Sequence, residues 1–143
     1  MENEMMMAMT PDVAADEQAI RDVVQALVDA WNRGDSEAWS AQVGEDIRHT
    51  VWNGHYVEGR EALTAGHAHI FSTFYKGTRQ EYSMRWIRFL RPDVAAVQWD
   101  AHLVGRADSK ARPLAIMVKG ADGCWRVEIF QNTPVMERSA RDA

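Results

Sequence analysis

Among the five histidines of the chain, His67 has the most suggestive neighbours. It follows Leu63 by four residues and shares a helical stripe with Leu63, Ile70, Phe71 and Phe74. An imidazole on an apolar helix face has two uses. It is a core histidine satisfied by a backbone carbonyl, or a proton donor or acceptor lining a cavity. His69 lies two residues further on, on roughly the opposite face, so the pair cannot share a metal while the helix stays regular.

Other polar groups lie on strand-like segments. Alternation puts Ile47, His49 and Val51 on one face and Arg48, Thr50 and Trp52 on the other. Gln98, Asp100 and His102 share a face, where a carboxylate beside an imidazole would orient it and raise its pKa. The opposite face, with Val97, Trp99, Ala101 and Leu103, reads as the buried one, so the polar stripe is also consistent with a solvated or dimer-facing surface. Near the end, Glu128, Phe130 and Asn132 alternate with Val127, Ile129 and Gln131. The Gln131 and Asn132 amides suit either a ligand carbonyl or a neighbouring strand.

The chain has six tryptophans. Trp31 and Trp39 fall on helices, while Trp52, Trp86, Trp99 and Trp125 come from strand regions. With Phe71 and Tyr82, residues such as Trp31, Trp39, Trp52 and Trp99 supply the aromatic wall that an apolar pocket needs, and equally what a small core needs. Trp52, just before the Asn53-Gly54 turn, is the one best placed as a lining or lid residue. The histidines and carboxylates show no metal-ligand spacing, and there is no nucleophile elbow, phosphate loop or dinucleotide fingerprint. No cofactor is implied, and the single Cys124 excludes an intramolecular disulfide.

These groups need elements to hold them. Ile20, Val23, Val24, Leu27, Val28 and Trp31 draw one stripe on a first helix. Thr10-Pro11 or Asp16 would start it, and Gly34 would close it in the left-handed conformation. Asp35 then caps a short second helix that runs to about Val43. A strand region over 47–57 precedes a third helix, about 59–75. After that the period changes to two, and 80–91, 94–104, 113–119 and 124–132 read as strands between turn signals. Helices first and strands last predict an α+β domain.

Several segments carry a family resemblance over about residues 16–133. They are Trp31-Asn32-Arg33-Gly34-Asp35, the stretch from His49 to Leu63 with Gly59-Arg60-Glu61, then Ile87 to Ala95, and Asp122 to Thr133. In this order the chain resembles the nuclear transport factor 2-like, SnoaL-like superfamily, and within it the SgcJ/EcaC branch. The resemblance implies a cone: three N-terminal helices packed on a bent, mostly antiparallel sheet, cystatin-like and ketosteroid isomerase-like. It also implies a homodimer through the outer sheet face. Aligned on Gly59-Arg60-Glu61, the ketosteroid isomerase base falls on Thr50, and its oxyanion-hole groups fall near Leu27 and Ala115. Threonine cannot take a proton from carbon at neutral pH, so that reaction is disfavoured.

The resemblance implies a cone that binds a small, apolar or aromatic molecule. Catalysis there would be cofactor-free isomerisation, dehydration or cyclisation, with His67 as acid or base. His49 or Thr50 and the Gln131 and Asn132 amides would polarise a substrate oxygen. The alternative is a non-catalytic dimeric ligand-binding or interaction module. The bulk figures limit the rest. One domain, 14–135, lies between a flexible leader (1–13) and a flexible tail (136–143). A net charge of −5 gives no footprint for nucleic acid or an anionic membrane, and a cytoplasmic location is expected.

Overall fold

The computed structural model describes residues 11–105 and 109–136. Three helices come first: α1 (Pro11–Arg33), α2 (Ser36–Ser40) and, after two strands, α3 (Arg60–Ser72). The strands are β1 (Val43–Thr50), β2 (Tyr56–Glu58), β3 (Arg79–Arg91), β4 (Val94–Val104), β5 (Ser109–Lys119) and β6 (Trp125–Pro134). They form one sheet in the order β2-β1-β6-β5-β4-β3. Every neighbouring pair is antiparallel except β1 with β6, which is parallel. The expected leader and tail fall mainly on 1–10 and 137–143, outside the described residues, and α1 already includes Pro11.

The helix boundaries follow from local chemistry. Gly34 sits at φ 66, and the Gly34 and Asp35 amides donate to Trp31 O and Ala30 O, which satisfies the last carbonyls of α1. Asp35 then caps α2 by accepting from the Ala38 amide at 3.0 Å. That helix stops at Ser40, earlier than expected, because Val43 and Gly44 already belong to β1. Gly59, at φ 87, turns the chain from β2 into α3.

The core lies between the helices and one face of the sheet. Ile20, Val24 and Leu27 of α1 meet Val43, Ile47, Leu63, Val97, Ala115, Met117 and Val127 there, nearly all free of solvent. Each of these side chains larger than alanine contributes about 1.5–3 kcal/mol on burial. At one end, Asp16 ties α1 to the sheet: its carboxylate accepts from Trp125 Nε1 at 3.0 Å and faces Lys119 Nζ at 3.0 Å.

Irregularities in register bend the strands. One interrupts the β5–β6 pairing, where Ile116 pairs with Ile129 but Met117 pairs with Val127, so Glu128 is the extra residue. Its carboxylate packs where a side chain on Gly44 would stand. The bulge shifts the phase of β6 by one. Trp125, Val127 and Phe130 point inward together, which strict alternation from Trp125 does not allow.

Candidate functional site

The wide end of the cone is formed where β1 and β6 end, β3 and β5 begin, and the last turns of α1 and α3 approach. Helix α3 brings Leu63 and His67 to its buried face, one turn apart. Backbone alternation on β1 turns Ile47 and His49 inward. His49 pairs with Phe130 across the parallel β1–β6 ladder, so both rings project into the same space.

The result is a cluster of aromatic rings around two imidazoles. Trp39 stacks on His67 at 4.0 Å between ring centroids, and His49 lies 6.0 Å from His67 with planes 19° apart. Phe130 meets His49 edge-on at 4.9 Å and also contacts Trp39 and Trp99. Phe71 and Trp31 close the other side, with Phe71 5.7 Å from His67 and 5.0 Å from Trp31. His49 and His67 are each 6% exposed.

Hydrogen bonding fixes how His67 is presented. Its Nδ1 lies 2.9 Å from Leu63 O. A carbonyl only accepts, so Nδ1 carries the proton and the neutral ring offers the lone pair of Nε2. Burial pushes its pKa down to about 4, against the opposing effect of the Leu63 carbonyl. Burial, aided by repulsion from His67 and His55, pushes His49 down to about 3. Both rings are therefore neutral at pH 7. His67 is thus a buried histidine satisfied by the carbonyl of its own helix, with Nε2 the nitrogen outside that bond.

The structure separates the remaining candidates. Trp39 and Trp99 are buried, while Trp31, Phe71 and Tyr82 are half-buried at the rim. The hydroxyl of Tyr82 donates to Gln25 Oε1 at 2.6 Å, so its polar end faces α1. Thr50 does not join the histidines. It pairs with Gln131 and Tyr56 on the outer face, since period two turns it away from His49. Gln131 is outside too, exposed opposite Leu114, while Asn132 shares the inner phase of Phe130. The two amides therefore cannot act on one ligand atom. Trp52 is half exposed and donates from Nε1 to the Tyr75 hydroxyl at 3.0 Å, so it does not line the ring cluster.

Asp100 accepts from Arg85 and Arg112 on the outer face, and His102 Nδ1 lies 4.0 Å from Glu81. Two residues escaped the reading of the sequence: Tyr75, which packs on Trp31, and Thr78, whose hydroxyl accepts from Trp31 Nε1 at 3.1 Å. Both follow the third helix, and only the loop that returns them to Trp31 reveals the link. Open clefts of about 620 and 740 Å³ lie outside the cone, along α2, α3 and Arg60.

The residues matched by the family model of the SnoaL-like domain are 24–129. The chain belongs to the SnoaL-like family. This SnoaL-like domain resembles a solved domain of unknown function with a cystatin-like fold from Nostoc punctiforme. The two are 31% identical with a TM-score of 0.80, over 86% of this chain and 79% of that one. A candidate scytalone dehydratase from Novosphingobium aromaticivorans is 20% identical at TM-score 0.77, over 94% and 95%. A hexachlorocyclohexane dehydrochlorinase from Novosphingobium barchaimii is 15% identical at TM-score 0.76, over 89% and 94%. These last two likenesses concern the fold alone. No curated protein matches the chain. Among the described residues, no group of three or more metal-ligating side chains is assembled, and no helix is long and apolar enough to cross a membrane.

Proposed function

We propose that this SnoaL-like domain, of the SgcJ/EcaC type, binds a small, flat, largely apolar molecule at the wide end of its cone. There it acts by cofactor-free proton transfer, with His67 as the group that receives the proton. The observation that carries this reading is the bond from His67 Nδ1 to Leu63 O, which leaves Nε2 as the unprotonated acceptor of a buried ring packed among aromatic side chains.

Magnitudes narrow the role. With a pKa of about 4, roughly one His67 ring in a thousand is protonated at pH 7, so it starts a cycle as base and not as acid. A C–H bond next to a carbonyl or a good leaving group would lose its proton to Nε2, and the imidazolium would return that proton to the product or to the leaving group. Isomerisation, dehydration and cyclisation share this first step. The named activities of the dehydratase and the dehydrochlorinase are both eliminations, consistent with such chemistry on this fold.

The test uses 2-tetralone in heavy water, whose acidic C–H positions exchange by enolisation. Wild-type protein should speed deuterium uptake over buffer, and His67→Gln should abolish the acceleration while leaving the fold intact. Equal uptake with both proteins, together with no binding of flat bicyclic compounds, would remove the enzymatic reading.

A second reading has its own observation. Trp39, Phe130, Phe71 and the two imidazoles occupy the cone, and Trp86 and Ile129 leave apolar surface on the outer sheet face, 41% and 44% exposed. This favours a non-catalytic homodimeric module joined through that face. In that case Trp86→Glu should give a monomer by sedimentation, and His67→Gln should change nothing but stability.

A further inference from the structure

His67 is shallow on one side. Of the rings packed on it, Trp39 and His49 are only 5% and 6% exposed, whereas Trp31 and Phe71 are half-buried. Those two meet edge-on at 5.0 Å, and Trp31 also lies 6.4 Å from the imidazole. The Trp31 side is therefore the one from which solvent reaches His67 with least repacking.

A turn over 73–77 follows α3 and covers Trp31. Tyr75 packs on the indole at 5.5 Å, and Thr78, just past the turn, accepts from Trp31 Nε1 at 3.1 Å. The buried Thr78 hydroxyl is used twice, since it also donates to Tyr75 O at 2.7 Å. The turn is held to α3 less evenly. Tyr75 N donates to Ile70 O at 2.8 Å, but the bonds from Thr73 N to Ile70 O and from Lys76 N to Thr73 O are long, at 3.3 and 3.4 Å. Gly77, at φ 74, supplies a hinge position between the turn and β3.

The β1–β2 connection meets this turn at the surface, where Trp52 Nε1 donates to the Tyr75 hydroxyl at 3.0 Å. That connection is braced within itself. Val51 N donates to His55 O and Gly54 N to Val51 O, both at 2.8 Å, and the Asn53 side chain accepts from His55 N at 3.0 Å. A firm turn thus holds a looser one through a bond between two ring ends.

We propose that the 73–77 turn is a strap over His67, latched by the Trp52–Tyr75 bond. Release of the latch lets the turn lift off Trp31 and opens that side of His67 to solvent or a small molecule. One exposed hydrogen bond shifts such an opening equilibrium by roughly two- to tenfold. The strap governs access alone, so it does not depend on His67 removing protons.

Exchange of the His67 Nδ1 proton with water measures the opening, because Leu63 O holds that proton in the closed form. It is followed by NMR on the ¹⁵N-labelled full chain, with His67→Gln to assign the signal. Tyr75→Phe keeps the ring on Trp31 and removes only the hydroxyl, and Trp52→Phe keeps an aromatic body without the N–H. Water replaces the lost partner at this exposed position, so both variants should fold. Each should speed exchange of the His67 proton about two- to tenfold, and the double variant no more than the faster single one, since both break the same bond. Amide exchange at Val97 and Met117 in the core should stay as in wild type.

Unchanged exchange of the His67 proton in both variants would overturn the latch. So would equal acceleration at Val97 and Met117, which reports global loosening, or effects that add in the double variant. None of these results touches the proton-transfer reading, which stands or falls on deuterium uptake into 2-tetralone.

Discussion

Lowering the pH should unfold this domain through two side chains, and the size of the effect follows from their burial. His49 and His67 titrate near 6.5 when unfolded, but are pushed down to about 3 and about 4 in the fold. The unfolded chain therefore binds more protons than the folded one below pH 6.5, and stability must drop as pH falls. The contribution is present in full above about pH 6.5 and declines as pH decreases toward the folded values. At pH 5 both folded rings remain neutral, and pH 5 lies 1.5 units below 6.5. At about 1.4 kcal/mol per unit, each ring then withdraws about 2 kcal/mol relative to pH 7.5, or about 4 kcal/mol for the pair. That is a large part of the 5–15 kcal/mol typical of a domain. Urea unfolding at pH 7.5 and pH 5.0 measures it, with His49→Gln and His67→Gln as controls that share the background from carboxylates and exposed histidines. Each single variant should lose about 2 kcal/mol of the wild-type pH dependence and the double variant about 4 kcal/mol, leaving the shared background. If the variants keep the wild-type difference to within about 0.5 kcal/mol, the rings are not held neutral by burial. The base assignment of His67 would then lose its physical ground.

Three further outcomes are expected. Trp39→Ala should cost about 3–5 kcal/mol by leaving a void against His67, and by admitting water it should raise the His67 pKa toward 6.5, readable by NMR titration. Gly44→Ala should cost under about 1 kcal/mol, because the new methyl meets only the carboxylate end of Glu128, a flexible side chain that can swing aside, and Glu128→Ala in the same chain should remove that cost in a double-mutant cycle; a much larger loss in urea unfolding would refute this. Asn132→Leu should leave stability unchanged or raise it by about 1 kcal/mol, since it removes a buried oxygen that no protein group satisfies, and a clear loss in thermal unfolding would show that the amide is structural.

Period and punctuation in the chain were enough for most of the scaffold. The stripe from Ile20 to Trp31 encodes α1, Gly34 with Asp35 ends one helix and starts the next, and the turns at 92–93 and 120–123 separate strands that lie within a few residues of the expected ones. These signals are local: capping, left-handed glycine and alternation act over a few residues, so they can be read without knowing what packs against what. The same locality placed His67 on the buried side of its helix. Local patterns failed on β6, where alternation put Gln131 in with Trp125 and Val127. The bulge at Glu128 appears only in the pairing of β6 with β5, and it turns Gln131 out and Asn132 in. Thr50 shows the same limit, because the family resemblance points to that position while the β1–β6 ladder turns its neighbour His49 inward. The joining of His49 to His67, and of Trp31 to Thr78, needs a strand, two helices and a loop to meet in space. Proximity of that kind, and the desolvation that holds both imidazoles neutral, are properties of the packed fold and exist nowhere along the chain.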